Sequence, residues 1–120
     1  VLNSATFGNM PSTWFVAGTG DFNGDRMSDI LWRDSAGDVA IWEMNGTTIL
    51  NPSTSGVGNL STVWSVAETG DFNGTGKSDI LWTDTSGDVA IWFMNGTTIA
   101  SGTGLGTIST TYTIQGTNAD

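Results

Sequence analysis

Apolar and polar residues follow a strand pattern, which is repeated along the chain. Successive apolar residues at 30–32 (ILW) and 39–42 (VAIW) predict strands buried on both faces. Turn residues separate these runs from their neighbours, and the dipeptides Asn45-Gly46 and Asn95-Gly96 are typical of tight hairpins. The pattern therefore predicts four short strands in the first unit: WFVAGTG, DILWRD, DVAIWEM and TTIL.

The pattern recurs after fifty residues, because residues 14–50 align without a gap on residues 64–100 and 27 of these 37 positions are identical. We expect two units, at 14–63 and 64–110. Residues 1–13 are then the end of a preceding unit or a linker, and residues 111–120 the start of a partial third one.

The predicted fold is all-β. Four antiparallel strands per unit, buried on both faces and stacked on the next unit, indicate the blades of a β-propeller; a solenoid is the competing repeat architecture. Propellers close with about 4 to 8 blades, so two blades leave large apolar faces uncovered. We expect either a ring of three or four chains or a piece of a longer array, and we favour assembly of a homo-oligomer.

Composition excludes several classes of function. The net charge of −9 disfavours nucleic acid and anionic membranes as partners, and no apolar run is long enough to span a bilayer. The chain has no Cys and no His, so thiolate and imidazole metal sites are excluded. Any metal must be a hard cation held by oxygen.

An acidic loop follows the first strand of each unit. Oxygen-bearing side chains at Asp21, Asn23, Asp25 and Asp29, with the Met27 carbonyl between the last two, occupy positions 1, 3, 5, 9 and 7 of this loop. Calcium favours such a flexible shell of about 6 to 8 oxygens, which predicts a calcium site. The alternative is that these residues only bend a turn.

The stretches GDFNGD, SDILWRD and GDVAIWEMNG resemble the FG-GAP or VCBS repeat of integrin-like propellers and of seven-bladed fungal and bacterial lectins. The resemblance implies a secreted protein that binds calcium for structural purposes. In the first unit it places the ligands at the positions named above. In the second unit it places them at Asp71, Asn73, the Lys77 carbonyl and Asp79, and Thr75 between them can still coordinate through its hydroxyl or carbonyl.

Two departures from the family pattern affect these loops. Arg26 stands where the family usually has Gly, at a position that favours positive φ, so we expect the first loop to be either strained or differently bent. Thr75 replaces a carboxylate and Lys77 adds a positive charge, so we expect weaker calcium binding in the second loop.

The resemblance favours a lectin-like module that binds a glycan. Trp14, Trp64 and, in the partial third unit, Tyr112 are the aromatic candidates for a rim on which sugars stack. The alternative is a structural or adhesive segment that binds a protein. An enzyme using carboxylates of the DSAGD and DTSGD loops is disfavoured, because Asp in such hairpins commonly bonds to its own backbone. We therefore expect no catalytic activity.

Overall fold

The computed structural model describes residues 11–51 and 54–107. The first half of this part forms a four-stranded antiparallel sheet, here called sheet 1, with the strand order β1-β2-β3-β6. Its strands are β1 (Trp14–Gly20), β2 (Asp29–Asp34), β3 (Asp38–Trp42) and β6 (Gly56–Asn59). A separate hairpin of β4 (Met44–Asn45) and β5 (Thr48–Ile49) lies between β3 and β6.

The second half forms sheet 2, in which four antiparallel strands follow one another without crossover in the order β7-β8-β9-β10. These strands are β7 (Trp64–Gly70), β8 (Asp79–Asp84), β9 (Asp88–Asn95) and β10 (Thr98–Thr107). Both β1 and β7 contain an irregular register at the same place, between Val16 and Gly18 and between Val66 and Glu68. The described residues contain no helix long and apolar enough to cross a membrane.

The prediction of four antiparallel strands per unit is confirmed, but the predicted fourth strand of the first unit is wrong. TTIL contributes only β5 to the small hairpin, and the edge of sheet 1 is formed by β6 instead. The side chain of Asn51 explains this break: its Oδ1 accepts from the backbone N–H of Glu43 at 2.8 Å, and its Nδ2 donates to the Ile41 carbonyl at 3.0 Å. Asn51 therefore takes backbone bonds that a continuous fourth strand would make.

The two sheets stack face to face around a single core. Side chains opposite each other in a ladder share a face, so Leu31 and Ile41 of sheet 1 point the same way, towards sheet 2. Ile80 and Trp82 of sheet 2 point back at them. The fully or nearly fully buried members of this cluster are Phe22, Leu31, Val39, Ile41, Ile80, Trp82 and Met94.

The sheets approach most closely at the edge strands β1 and β7. The Thr69 hydroxyl donates to the Thr19 carbonyl at 2.6 Å, and a Cβ atom at Gly18 would lie 3.3 Å from Thr69 Cγ2. Two stacked sheets that converge along one edge form the arrangement that neighbouring propeller blades adopt.

Candidate functional site

The first acidic loop, residues 21–28 and here called loop 1, wraps around the carboxylate of Asp21. Asp21 Oδ1 accepts from the backbone N–H groups of Gly24 at 2.8 Å and Asp25 at 3.1 Å, and its Oδ2 accepts from Arg26 N–H at 2.7 Å. Asp25 Oδ1 accepts in turn from the Met27 N–H at 2.9 Å. Backbone amides therefore hold the loop in a tight turn, and its carboxylates stay on the inner side of the turn.

Asp29 joins loop 1 to the sheet. Its side chain is fully buried, its Oδ2 accepts from Phe22 N–H at 3.0 Å and its Oδ1 accepts from Met44 N–H at 2.9 Å. Burial raises the pKa of this carboxyl, the two backbone hydrogen bonds oppose the rise, and the negative charges of Asp25 and Asp21 add to it. A cation in the loop would relieve this repulsion.

The second acidic loop, residues 71–78 and here called loop 2, repeats these contacts. Asp71 accepts from the N–H groups of Gly74, Thr75 and Gly76, with the Gly76 bond the shortest at 2.7 Å. These bonds hold the pKa of Asp71 below its usual range, with Gly76 contributing most. Thr75 Oγ1 accepts from Lys77 N–H at 3.3 Å, so a hydroxyl stands where loop 1 has the Asp25 carboxylate.

The fully buried Asp79 corresponds to Asp29. It accepts from Phe72 N–H at 3.1 Å and from Met94 N–H at 2.9 Å. Burial raises the pKa of Asp79, and the nearby charge of Asp71 raises it further against the opposing backbone bonds. The two repeats therefore place the last carboxylate of each loop in the same buried position.

Oxygen atoms of loop 2 converge on the amide of Asn73. One terminal atom of this amide lies 3.1 Å from Asp71 Oδ1, 3.1 Å from Thr75 Oγ1 and 3.2 Å from Asp79 Oδ2. Nitrogen fits this position, because from there the amide donates to all three oxygens. Within residues 11–51 and 54–107, no three carboxylates are already arranged as a metal-binding group.

Both departures from the family pattern have structural counterparts. Arg26 has φ of 70° and is the only non-glycine residue with positive φ in the described ranges, whereas its counterpart Gly76 has φ of 82°. The expected unusual backbone at Arg26 is therefore confirmed. Lys77 extends towards the other loop, because a Cβ atom at Gly24 would lie 3.2 Å from Lys77 Cγ. Its charge therefore lies beside loop 1 as well as its own loop.

A cavity of about 470 Å³ lies between the sheets at the end where β1 and β7 begin. Its apolar wall includes Phe15, Val16 and Trp64, and its polar wall includes Ser35, Thr62 and Ser65. Trp64 is half-buried and also packs against the core, while Trp14 is half-buried and does not line this cavity. Tyr112 lies outside the described residues.

Comparison with known families gives a match to the FG-GAP-like repeat over residues 21–82, which is more than half of the chain. The chain belongs to the FG-GAP-like repeat family. The resemblance inferred from GDFNGD and the residues that follow it is thereby confirmed, and it points to a β-propeller or adhesive repeat module. No curated protein and no solved structure matches the chain.

The contact between the two FG-GAP-like units contains one residue to which the sequence assigned no role. Arg33 is only 4% exposed, and its guanidinium donates to four backbone carbonyls. Nη1 bonds to Gly37 O at 3.2 Å and Leu60 O at 3.0 Å, while Nη2 bonds to Ser61 O at 3.4 Å and Trp64 O at 2.9 Å. Arg33 therefore fixes the segment that connects the two units.

The same guanidinium stacks on sheet 2, with its central carbon 4.9 Å from the centroid of the Trp82 ring. Its removal from water lowers the pKa of Arg33 from its usual value, and the charge of Asp34 opposes this shift. The sequence contained one signal of this role: Arg33 directly follows the apolar run at 30–32 and aligns with Thr83 in the second unit.

The carboxylates of the DSAGD and DTSGD loops bond to their own backbone. Asp34 Oδ1 accepts from the N–H groups of Ala36 at 2.9 Å and Asp38 at 2.8 Å. Asp84 Oδ1 accepts from Ser86 at 2.9 Å and Asp88 at 2.8 Å in the same way. These residues shape the turns between β2 and β3 and between β8 and β9, as their position in hairpins predicts.

Proposed function

We propose that this FG-GAP-like repeat chain is a secreted, calcium-stabilised propeller module that binds carbohydrate and has no catalytic role. The observation that carries the proposal is the cavity between the sheets beside Trp64. Its volume of about 470 Å³ lies within the range of small-molecule sites, about 300 to 1,000 Å³.

The walls of the cavity suit a sugar ring. Trp64 and the exposed side chains of Phe15 and Val16 offer an apolar surface for the C–H face of a sugar. The hydroxyls of Ser35 and Ser65 line the same cavity and can exchange hydrogen bonds with sugar hydroxyls. The net charge of −9 favours a neutral or basic glycan over an acidic one.

The test is a glycan screen followed by titration calorimetry on the best ligand. We expect Trp64→Ala to abolish binding, and Trp14→Ala to leave binding within about twofold because Trp14 does not line the cavity. Since Trp64 also touches the core, Ser65→Trp serves as a second variant that fills the cavity from an exposed position. Absence of any glycan ligand, or unchanged affinity in both Trp64→Ala and Ser65→Trp, would contradict carbohydrate binding here.

Calcium binding by the two loops is part of the same proposal. In loop 1 the cation would be held by Asp21, Asn23, Asp25, Asp29 and the Met27 carbonyl. In loop 2 it would be held by Asp71, Asn73, Thr75, Asp79 and the Lys77 carbonyl. The converging oxygens around Asn73 and the mutual repulsion of the loop 1 carboxylates support it. The cation would neutralise these charges and tie each loop to its sheet.

The calcium test is the rise in melting temperature between chelator and excess calcium, because a ligand of the folded state stabilises it by mass action. Asp21 and Asp71 both also accept three backbone amides, so the comparison uses this rise and not the melting temperature itself. We expect Asp21→Ala to remove more of the rise than Asp71→Ala. The reverse order would show that Arg26 and the neighbouring Lys77 weaken loop 1 more than Thr75 weakens loop 2.

We further propose that several copies close one propeller ring, since a propeller needs about 4 to 8 blades and the chain supplies two. Three copies would give six blades and four copies would give eight. Light scattering with and without calcium measures the mass directly. A discrete trimer or tetramer is expected, and a single-chain mass at all concentrations would favour the alternative of an adhesive segment within a longer array.

A further inference from the structure

The contact between the two units within one chain can be repeated between two copies of the chain. Loop 1 is bonded through its backbone to loop 2 and to the turn between β9 and β10: Ser78 N–H donates to Asp21 O at 2.7 Å, and Gly96 N–H donates to Phe22 O at 2.7 Å. The Asp21 N–H donates back to Ser78 Oγ at 3.0 Å. Phe22 is fully buried in the shared core. Each of these residue types recurs fifty positions away.

Residues at equivalent positions are less buried where they do not face the other sheet. Phe22 is fully buried, whereas Phe72 near the start of loop 2 is half-buried. Ser78 is buried, whereas Ser28 is exposed. Trp82 and Thr69, which face sheet 1, are likewise more buried than their counterparts in sheet 1. Loop 2 therefore leaves partly exposed the groups whose counterparts in loop 1 are buried against the second unit.

The matching surface lies on the first unit, in β1, loop 1 and the β4–β5 hairpin. Ser28 and Gly46 correspond to the donors Ser78 and Gly96, and neither forms an equivalent inter-sheet bond within the described ranges. This surface is not open everywhere, because Trp42 is only 9% exposed. The free part is the β1 and β2 side around Thr19, Ser28 and the half-buried Trp32.

We propose that loop 2 and the outer face of β7 in one copy dock on Thr19, Ser28 and Gly46 of a second copy, in the arrangement that loop 1 and sheet 2 adopt within the chain. The argument is that both contacts use the same residue types: a loop phenylalanine on one side, and a serine and a hairpin glycine on the other. This inference rests on the proposed ring assembly and specifies the contact that builds it.

The second contact lacks one component of the first. Thr83 stands where Arg33 bonds four carbonyls and stacks on Trp82. The docked interface is therefore weaker than the internal one and forms in a concentration-dependent manner. Thr83→Arg introduces the missing guanidinium, so it should lower the concentration at which the assembly dissociates by about tenfold, which corresponds to about 1.4 kcal/mol.

Disulfide trapping tests the proposed contact directly, because the chain contains no Cys. In the internal contact, a Cβ atom at Gly18 would lie 3.3 Å from Thr69 Cγ2, so side chains at these two positions touch, as a disulfide between them requires. The corresponding pair between copies is Glu68 of one and Thr19 of the next. Within one chain these two side chains point to opposite faces, since Glu68 pairs with Leu81 and Thr19 with Ile30, so they cannot join.

Under mild oxidation, Thr19→Cys/Glu68→Cys should give a ladder of covalently linked chains that ends at the mass of the closed ring. Gly18→Cys/Thr69→Cys is the matched control and should form its disulfide within one chain. Glu68→Cys alone should give no ladder. A discrete oligomer by light scattering without a ladder would overturn this contact while leaving assembly intact, and a single-chain mass without a ladder would overturn both.

Discussion

Sheet 1 and sheet 2 are built from nearly the same residues, yet they bury different parts of their surface. Trp82 is fully buried and its counterpart Trp32 is half-buried, because sheet 2 turns this face towards sheet 1. Phe22 and Phe72 differ in the opposite sense, because Phe22 of the first unit is fully buried in the shared core and Phe72 of the second unit is half-buried. A repeat of this kind therefore acquires its core from its neighbour and not from its own sequence.

Two positions at which the repeats carry different residues add to this difference. Arg33 bonds the connecting segment and stacks on sheet 2, while Thr83 has no such reach. Arg26 adopts a backbone conformation that suits its counterpart Gly76 much better. The first unit thus has the stronger contact to its neighbour and the more strained loop.

The largest expected effect on stability distinguishes Trp82 from its counterpart Trp32. Trp82→Ala should lower the free energy of unfolding by about 3 to 5 kcal/mol, because it leaves a large cavity in the inter-sheet core. Trp32→Ala should cost clearly less in dilute protein, where its face is only half-buried. Urea unfolding measures both. Equal losses at low concentration would show that the two faces are equally covered.

Removal of the guanidinium at position 33 should have the next largest effect. Arg33→Met keeps most of the apolar length but leaves four carbonyls without their donor, so we expect a loss of roughly 2 to 3 kcal/mol. Thr83→Val is the matched variant in sheet 2 and should change the free energy of unfolding by less than about 1 kcal/mol. A loss in Thr83→Val as large as that in Arg33→Met would remove the asymmetry between the units.

The strained loop offers a stabilising change. Arg26→Gly should raise the free energy of unfolding by about 1 kcal/mol, because glycine adopts positive φ without steric cost. Gly76→Ala should lower it by a similar amount, about 1 kcal/mol, in the second loop. Thermal unfolding in chelator isolates this backbone effect from calcium. Destabilisation by Arg26→Gly would mean that the Arg26 side chain makes a compensating contact.

The smallest expected effect on stability concerns Asp34 and Asp84, the turn carboxylates that the two units share. Burial raises the pKa of Asp34, but hydrogen bonds from Asp38 and Ala36 and the charge of Arg33 outweigh it, so the pKa lies below its usual value. A lowered pKa contributes stability above the unfolded value of about 3.9, and that contribution is lost as the pH falls through the folded pKa.

Asp34→Asn keeps the oxygen that accepts both amides, so it should preserve the turn while flattening the acid limb of the stability curve. Asp84→Asn should flatten it slightly less, because the pKa of Asp84 is also lowered but no arginine lies beside it in the chain. Unfolding followed between about pH 2 and 6 decides this. An unchanged acid limb in both variants would show that other carboxylates control it.

Sequence patterns predicted the local features of this molecule well. The alternation of apolar runs with Asx and Gly turns predicted the paired strands, and the interpretation of the acidic loops as turns bent by Asx residues agrees with the backbone amides that bond to Asp21 and Asp71. The break after Ile49 was not predictable, because it depends on the bonds of Asn51 to Glu43 and Ile41, which lie eight and ten residues earlier in the chain. Local strand propensity carries no information about a side chain that takes these backbone hydrogen bonds.

The amino-acid sequence by itself determined the repeat, the family, the turns and the positive φ at Arg26, since each of these follows from residue types and their spacing along the chain. Only the tertiary structure decided which face of each sheet is buried, that Arg33 joins the two units, and that Lys77 lies against loop 1. These features arise where identical strands meet different neighbours, and burial is set by what lies across the interface.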